Sequence, residues 1–188
     1  MKNITHYIFI LLACFTGCVD DDDSSVGART QITPNEEELI TTANLIFKDA
    51  AGMVVDTFSF SDLDGDGGNV PIIDTVKLNS NTNYTVSLTF LDESDPNDVE
   101  DITAEILAED DEHLICFEPM NFTGLNISRT DSDGTYEVGL ESSWTVGSPS
   151  ISSNKIVRVT LKHQPDVKDG TCVVGDTDVE IDFPIVLR

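Results

Sequence analysis

The stretch that decides the fold is residues 82–91, TNYTVSLTFL, in which apolar and polar side chains alternate. A repeat of two residues is typical of a β-strand that buries one face, because successive side chains point to opposite sides. Serine, threonine and asparagine occupy the second face, as expected where a strand meets solvent. The segment therefore predicts a half-buried strand whose inward set is Tyr84, Val86, Leu88 and Phe90.

The same alternation recurs along the rest of the chain. Segments rich in glycine, asparagine and aspartate separate the alternating stretches and supply turns. Eight or nine strands in about 150 residues predict an all-β fold, an antiparallel Ig-like β-sandwich. The further alternating stretches are residues 54–60, 72–78, 136–140, 157–163 and 179–187.

Residues 95–110 break this pattern and predict one short helix. Val99, Ile102 and Ile106 recur at helical spacing. The start of the segment, DPND, contains side chains that cap the first amides of a helix. We expect this helix to cross one end of the sandwich.

Residues 1–17 have the pattern of a lipoprotein signal peptide. A basic start at Lys2 precedes an apolar run, residues 7–15, that is too short to span a bilayer. The run ends in FTGC, which resembles the lipobox of bacterial lipoproteins and predicts lipidation of Cys18. An ordinary cleaved signal beside an incidental cysteine is the alternative.

Residues 18–37 predict an acidic, flexible tether, and residues 38–188 a single β-sandwich domain. The tether begins VDDDDSS, whose four consecutive aspartates repel one another and cannot enter a core. This run is similar to the export signal that sends Bacteroidetes lipoproteins to the outer face of the outer membrane. The sequence therefore predicts a lipid anchor in the outer membrane with the domain facing the cell exterior; a periplasm-facing lipoprotein is the alternative.

The chain is strongly acidic, with 35 Asp and Glu against 10 Lys and Arg and a net charge of −25. Such a surface repels nucleic acid and anionic membranes, which disfavours both as partners. It suits an exposed domain that attracts cations.

Four cysteines leave one candidate disulfide. Cys14 lies in the signal and Cys18 is assigned to lipid, so Cys116 and Cys172 remain. In an oxidising compartment such a pair is commonly bonded. A buried free Cys116 beside a surface Cys172 is the alternative.

Residues 61–69, SDLDGDGGN, form a candidate calcium loop. Asp62, Asp64 and Asp66 match the D-x-D-x-D-G start of calcium-binding loops, in which alternate carboxylates converge on the ion. The twelfth position is Ile73 instead of glutamate, although Asp74 follows it, so a complete EF-hand is excluded. A hairpin turn built from glycine, asparagine and aspartate is the alternative.

His113 and His163 are a candidate pair for a transition metal such as zinc or copper. Parity places His163 on the inward face of its strand and His113 on one face with Ile115, both near acidic segments. Imidazole is a common ligand for these metals. The alternative is that each ring closes the core and bonds a backbone carbonyl.

Catalysis is not predicted, because the chain contains no nucleophile elbow, zinc-protease motif, P-loop or dinucleotide fingerprint. We expect a non-enzymatic binding module.

The chain resembles a family of small Bacteroidetes lipoproteins, chiefly flavobacterial, often labelled type 1 periplasmic binding fold superfamily proteins. The segments that carry the likeness are EEELITT (36–42), DLDGDGGN (62–69), LNSNTNYTVSLTFLDES (78–94), ITAEILAEDDEHLICF (102–117), LKHQPDVKDG (161–170) and DTDVEIDFPI (176–185). The label implies solute binding by a two-lobed α/β fold, which about 150 strand-rich residues are too few to build. The resemblance implies the surface address and the sandwich.

These features predict a surface-exposed outer-membrane lipoprotein that binds a cation, or a nutrient passed to an outer-membrane transporter. A structural or adhesive surface module without a small ligand is the alternative.

Overall fold

Ten strands and one short helix form the residues that the computed structural model describes, which are 38–65, 67–121, 123–148 and 154–188. All of them fall within one unit of the chain, Asn35–Arg188. The all-β sandwich is confirmed, with ten described strands instead of eight or nine. The elements are β1 (Thr42–Lys48), β2 (Val54–Ser61), β3 (Ile72–Ile73), β4 (Val76–Leu78), β5 (Thr82–Leu91), α1 (Ile102–Ala108), β6 (His113–Met120), β7 (Leu125–Arg129), β8 (Glu141–Val146), β9 (Ile156–His163) and β10 (Asp176–Leu187).

The strands form two sheets, one of six strands in the order β3-β2-β1-β5-β8-β7 and one of four in the order β4-β10-β9-β6. Neighbouring strands run antiparallel with one exception, because β4 pairs with β10 in parallel. The predicted antiparallel sandwich therefore contains one parallel pair among its described strands.

Apolar side chains from both sheets form one core. The predicted inward set of β5 is buried, and Phe90 and Val86 have no exposed surface. Trp144, also fully buried, contacts Phe47 in its own sheet and Phe117 in the other, with ring centroids 5.2 and 5.9 Å apart. Such edge-to-face contacts fix how the two sheets pack.

Residues 72–78 do not form one strand, contrary to their alternating pattern. β3 belongs to the six-stranded sheet and β4 to the four-stranded sheet, so the chain changes sheets between them. Asp74 ends the pairing, because its carboxylate and its backbone N–H both bond the backbone of Ser59 at 2.9 Å. Ile72 is consequently exposed, whereas Val76 is buried.

Residues 136–140 also differ from their pattern, since β8 begins only at Glu141. Val138 and Leu140 are buried as expected, but Gly139 has a φ of +103°. That conformation is incompatible with a continuous strand.

Helix α1 lies against the end of β5 and begins later than its apolar spacing predicts. Its N-cap is Asp101, whose carboxylate accepts the N–H of Ala104 at 3.3 Å. Ile102 is buried, and the Thr103 hydroxyl bonds both backbone groups of Phe90. The contact with β5 therefore fixes the position of the helix, and β6 begins a few residues after it, where the candidate site lies.

Candidate metal centre

Two histidines stand opposite each other where β6 begins and β9 ends. The antiparallel register of these strands pairs His113 directly with His163. Their rings stack with centroids 4.7 Å apart and planes within 5°. Both are buried, His113 fully and His163 with 4 % of its surface exposed. The sequence placed His163 on an inward face and His113 on one face with Ile115, and the register brings the two rings into contact.

Both ring nitrogens of His113 face hydrogen-bond acceptors. Nδ1 lies 3.0 Å from the carbonyl oxygen of Glu109, and Nε2 lies 3.2 Å from Oε1 of Glu38. A neutral imidazole carries only one N–H, so it cannot donate to both. With Glu38 ionised, the ring can bond both acceptors only by taking a second proton, and a cation bound at Nε2 would also bridge it to Glu38.

The surroundings of His113 and Glu38 favour their charged forms. Burial lowers the pKa of His113, but its contacts with Glu38 and with the Glu109 carbonyl outweigh this and raise the pKa. Burial likewise raises the pKa of Glu38, and the hydrogen bond and charge of His113 reverse the effect and lower it. Without a cation, the two side chains form a buried ion pair.

Four residues form what we call the inner group, in which one ligand atom from each lies within 4.8 Å of the others. Two are the stacked histidines. The third precedes β1 in the chain, and the fourth lies on β10, so the group joins segments distant in sequence. Its members are Glu38, His113, His163 and Asp178.

A second set, the outer group, consists of Glu109, Glu112 and His163. One ligand atom from each of these also lies within 4.8 Å of the others. Oε2 of Glu112 is 3.5 Å from Nε2 of His163. The backbone holds Glu112 there, because its carbonyl accepts the N–H of Gln164 at 2.6 Å. The two groups share His163.

Oε2 of Glu38 and Nε2 of His163 are buried and make no hydrogen bond to any described residue. A buried polar atom left without a hydrogen bond costs about 1–3 kcal/mol. A cation bound at the inner or the outer group would give such atoms a partner.

The candidate calcium residues Asp62, Asp64 and Asp74 do not form a three-ligand group among the described residues. The loop joins β2 to β3, and Asp64 accepts the backbone and side-chain N–H groups of Asn69 at 3.0 and 2.6 Å. Asp74 bonds Ser59 instead of turning toward Asp62 or Asp64, and neither metal-ligand group contains these three aspartates. Asp66 lies outside the described residues, so calcium binding by this loop stays a prediction.

Cys116 of β6 and Cys172 form a disulfide, with Cα atoms 6.0 Å apart. The bond ties β6 to the loop that follows His163. Gln164 secures the same loop, since its amide donates to the carbonyls of Thr171 and Val174, each at 2.9 Å. The position of His163 is thus fixed from both sides. Cys18, the candidate lipidation residue, lies outside the described residues.

The sequence did not indicate the carboxylates that complete the inner group. Asp178 is the extra residue of a β-bulge, because Thr177 pairs with Lys162 while Val179 already pairs with Leu161. A bulge redirects a side chain against the alternation of its strand. Glu38 is distant in sequence from both histidines, and no spacing signals such a contact.

Comparisons of the chain with protein-family models, with curated proteins and with solved structures find no match. The fold and the site therefore define it by themselves, as an all-β sandwich with a buried cluster of histidines and carboxylates. Within the described residues no helix is long and apolar enough to cross a membrane.

Proposed function

We propose that the chain is a non-enzymatic binding module whose inner group holds one divalent transition-metal cation such as zinc. One observation carries the proposal: two buried imidazoles and two carboxylates, from distant parts of the chain, present ligand atoms within 4.8 Å of one another. Charged and titratable side chains are seldom buried together except at ion pairs and functional sites.

The donors select the kind of ion. Imidazole nitrogen with carboxylate oxygen suits zinc and its neighbours, whereas calcium and magnesium prefer shells made of oxygen. Four protein ligands complete a tetrahedral zinc shell and leave no position for a substrate, which favours binding over catalysis. Donors around a tetrahedral zinc lie roughly 3.4 Å apart, so binding would draw the side chains inward by on the order of 1 Å.

A supporting contact already orients one ligand. His113 can donate Nδ1–H to the carbonyl of Glu109 at 3.0 Å, which leaves Nε2 directed at Glu38. Histidines that bind metals commonly donate their second nitrogen to a carbonyl or carboxylate in this way.

The proposal includes a location on the cell surface, which rests on the sequence of residues 1–37. A lipid on Cys18 would anchor the protein in the outer membrane, and the acidic run after it favours the outer face. The net charge of −25 would concentrate cations near the domain. An ion collected there could pass to an outer-membrane transporter.

Zinc titration of the untagged protein, stripped beforehand with a chelator, tests the proposal. We expect one ion per chain by calorimetry and a melting temperature that rises with zinc. Zinc at about 100 times its dissociation constant would add about 2.7 kcal/mol to the free energy of unfolding. If zinc, copper, nickel and cobalt neither bind nor change the melting temperature, the protein is instead a structural or adhesive surface module.

A matched pair of variants locates the site. Asp178→Asn keeps the size of the side chain but removes a charged donor, and should weaken zinc binding at least about tenfold. Asp56→Asn makes the same charge change at an exposed position on β2, outside both groups, and should leave the affinity unchanged. Equal losses in both variants would mean that general charge, and not the inner group, attracts the ion.

A further inference from the structure

We infer that the outer group, Glu109, Glu112 and His163, is the position through which the ion reaches the inner group. The inference rests on the metal-binding function proposed above and adds a route to it. Because His163 belongs to both groups, an ion held by the outer group already contacts an inner ligand.

Exposure of the side chains falls along this route. The side chain of Glu112 is 38 % exposed, that of His163 is 5 % exposed, and that of His113 is fully buried. Glu38 is also largely covered, with 9 % of its side chain exposed. An ion from solvent would therefore meet Glu112 before any member of the inner group.

His163 directs a buried nitrogen at Glu112. Its Nε2 makes no hydrogen bond to any described residue, and its distance of 3.5 Å from Oε2 of Glu112 is longer than an ordinary hydrogen bond. Carboxylate oxygen and imidazole nitrogen both bind zinc at about 2.0–2.2 Å, so one ion can contact both atoms after a small movement.

A surface cleft of about 410 Å³ leads to Glu112. Asp111, Asp133 and Asp166 also line it, and its one lysine, Lys168, is paired with Asp133 at 2.7 Å. A concave surface lined by one sign of charge focuses the electric field and raises the local concentration of the opposite ion. The cleft would therefore deliver cations to the outer group.

The end of α1 adds to this negative potential. Glu109 is the C-cap of the helix, and the last turn carries no basic side chain. The negative end of the helix dipole makes an additional carboxylate unfavourable there. A cation at Glu109 would offset that repulsion while it passes inward.

Stopped-flow kinetics with zinc and a chromophoric chelator tests the route. Glu112→Gln should slow zinc uptake on the order of tenfold, and zinc release to the chelator by a similar factor, so that the equilibrium affinity changes less than either rate. The control is Glu105→Gln, which removes the same charge at an exposed position on α1 outside both groups. Measurements at about 0.5 M salt screen long-range attraction and leave the effect of direct binding.

Slower uptake and release in Glu112→Gln alone would support the route. Equal rates in the two variants at high salt would overturn it while leaving the metal-binding function intact, because the ion would then enter elsewhere. Two ions per chain at saturation would also overturn it, since the outer group would then be a second storage site. Failure of the wild-type protein to bind zinc in the equilibrium titration would overturn both proposals.

Discussion

The ammonium of Lys168 lies 2.7 Å from Oδ2 of Asp133, and each of these side chains is only 4 % exposed. Lys168 also donates to the carbonyl of Asp110 at 2.6 Å. The other carboxylate oxygen of Asp133 accepts the backbone N–H groups of Thr135 and Tyr136, both at 2.7 Å. This ion pair therefore joins the loop between β7 and β8 to the loop between β9 and β10. Through Asp110 it also holds the segment that follows α1.

The pair predicts a loss of stability in acid. Burial raises the pKa of Asp133, but the hydrogen bond from Lys168 and the two N–H groups outweigh it and bring the pKa to about 2, below the usual 3.8. A carboxyl group with a lowered folded-state pKa stabilises the protein above its unfolded pKa and loses this effect as the pH falls through the folded value. Asp133→Asn should therefore cost about 1–2 kcal/mol near pH 6 and progressively less as the pH falls from about 4 to about 2, where the folded-state carboxyl is half protonated.

Urea unfolding of wild type and Asp133→Asn between pH 6 and pH 2 measures this difference. Asp166→Asn is the matched control, because Asp166 lines the same cleft but is exposed. A difference that does not change with pH would contradict the prediction, since the stabilisation would then not depend on the charge of Asp133.

The disulfide between Cys116 and Cys172 closes a long loop of the chain, because the two cysteines are 56 residues apart in sequence. Closing a loop of this length restricts the unfolded chain, which stabilises a folded domain by about 2–4 kcal/mol. The double variant Cys116→Ser, Cys172→Ser should lose that amount in urea unfolding, and wild type with a reductant should match it. If reductant destabilises the double variant as well, the effect does not come from this bond.

Alanine substitutions at two glycines distinguish the cost of backbone strain from the cost of steric crowding. Gly134 and Gly139 both have positive φ, +96° and +103°. A Cβ at Gly134 meets nothing within 4 Å, whereas one at Gly139 lies 2.9 Å from Cβ of Ile115 and 3.0 Å from its carbonyl oxygen. We expect Gly134→Ala to cost about 1 kcal/mol and Gly139→Ala at least about 2 kcal/mol, measured by thermal unfolding. Equal costs would mean that β6 moves aside.

Trp144 gives the protein an internal probe, because it is the only tryptophan and is fully buried. Its indole N–H donates to the hydroxyl of Ser142, also buried, at 3.0 Å. Its fluorescence should shift to longer wavelength on unfolding.

Trp144→Phe should cost about 2–4 kcal/mol of the free energy of unfolding, since it leaves a cavity and removes the hydrogen bond that the indole donates to Ser142. If unfolding followed by circular dichroism shows that Trp144→Phe is as stable as the wild type, the described packing between the sheets is contradicted.

Zinc and calcium should have different effects on the protein. The proposed zinc site has four candidate ligands close together, whereas Asp62, Asp64 and Asp74 do not form a three-ligand group among the described residues. We therefore expect a larger rise in melting temperature from micromolar zinc than from millimolar calcium. A larger rise with calcium, abolished by Asp64→Asn, would make residues 62–74 the principal ion site.

Local alternation was sufficient to predict the strands that bury one face. β9 follows the period of two throughout and β5 does so except at Ser87, which is also buried. The same rule correctly placed His163 inward. The rule failed where one segment serves two sheets, as on either side of Asp74, and where Gly139 interrupts extended backbone. Both failures arise from tertiary contacts, which a local pattern does not contain.

The site could be predicted only in part for the same reason. The two histidines were recognisable because their residue type is rare in this chain. Asp178 depends on a bulge and Glu38 on a contact across 75 residues with His113. An acidic chain offers many carboxylates, so residue type alone could not single out these two.

The position of β10 in the four-stranded sheet has a consequence for how the protein folds. β10 is the final strand in chain order, yet it lies between β9 and β4, and Ile185 pairs with Val76 far upstream. Such distant pairings form slowly, because a long loop must close before any contact stabilises it. The four-stranded sheet cannot be completed until residues 176–187 have been synthesised and have paired with β9 and β4. Asp178 belongs to this last segment. A chain that has emerged only in part therefore does not yet contain the full inner group.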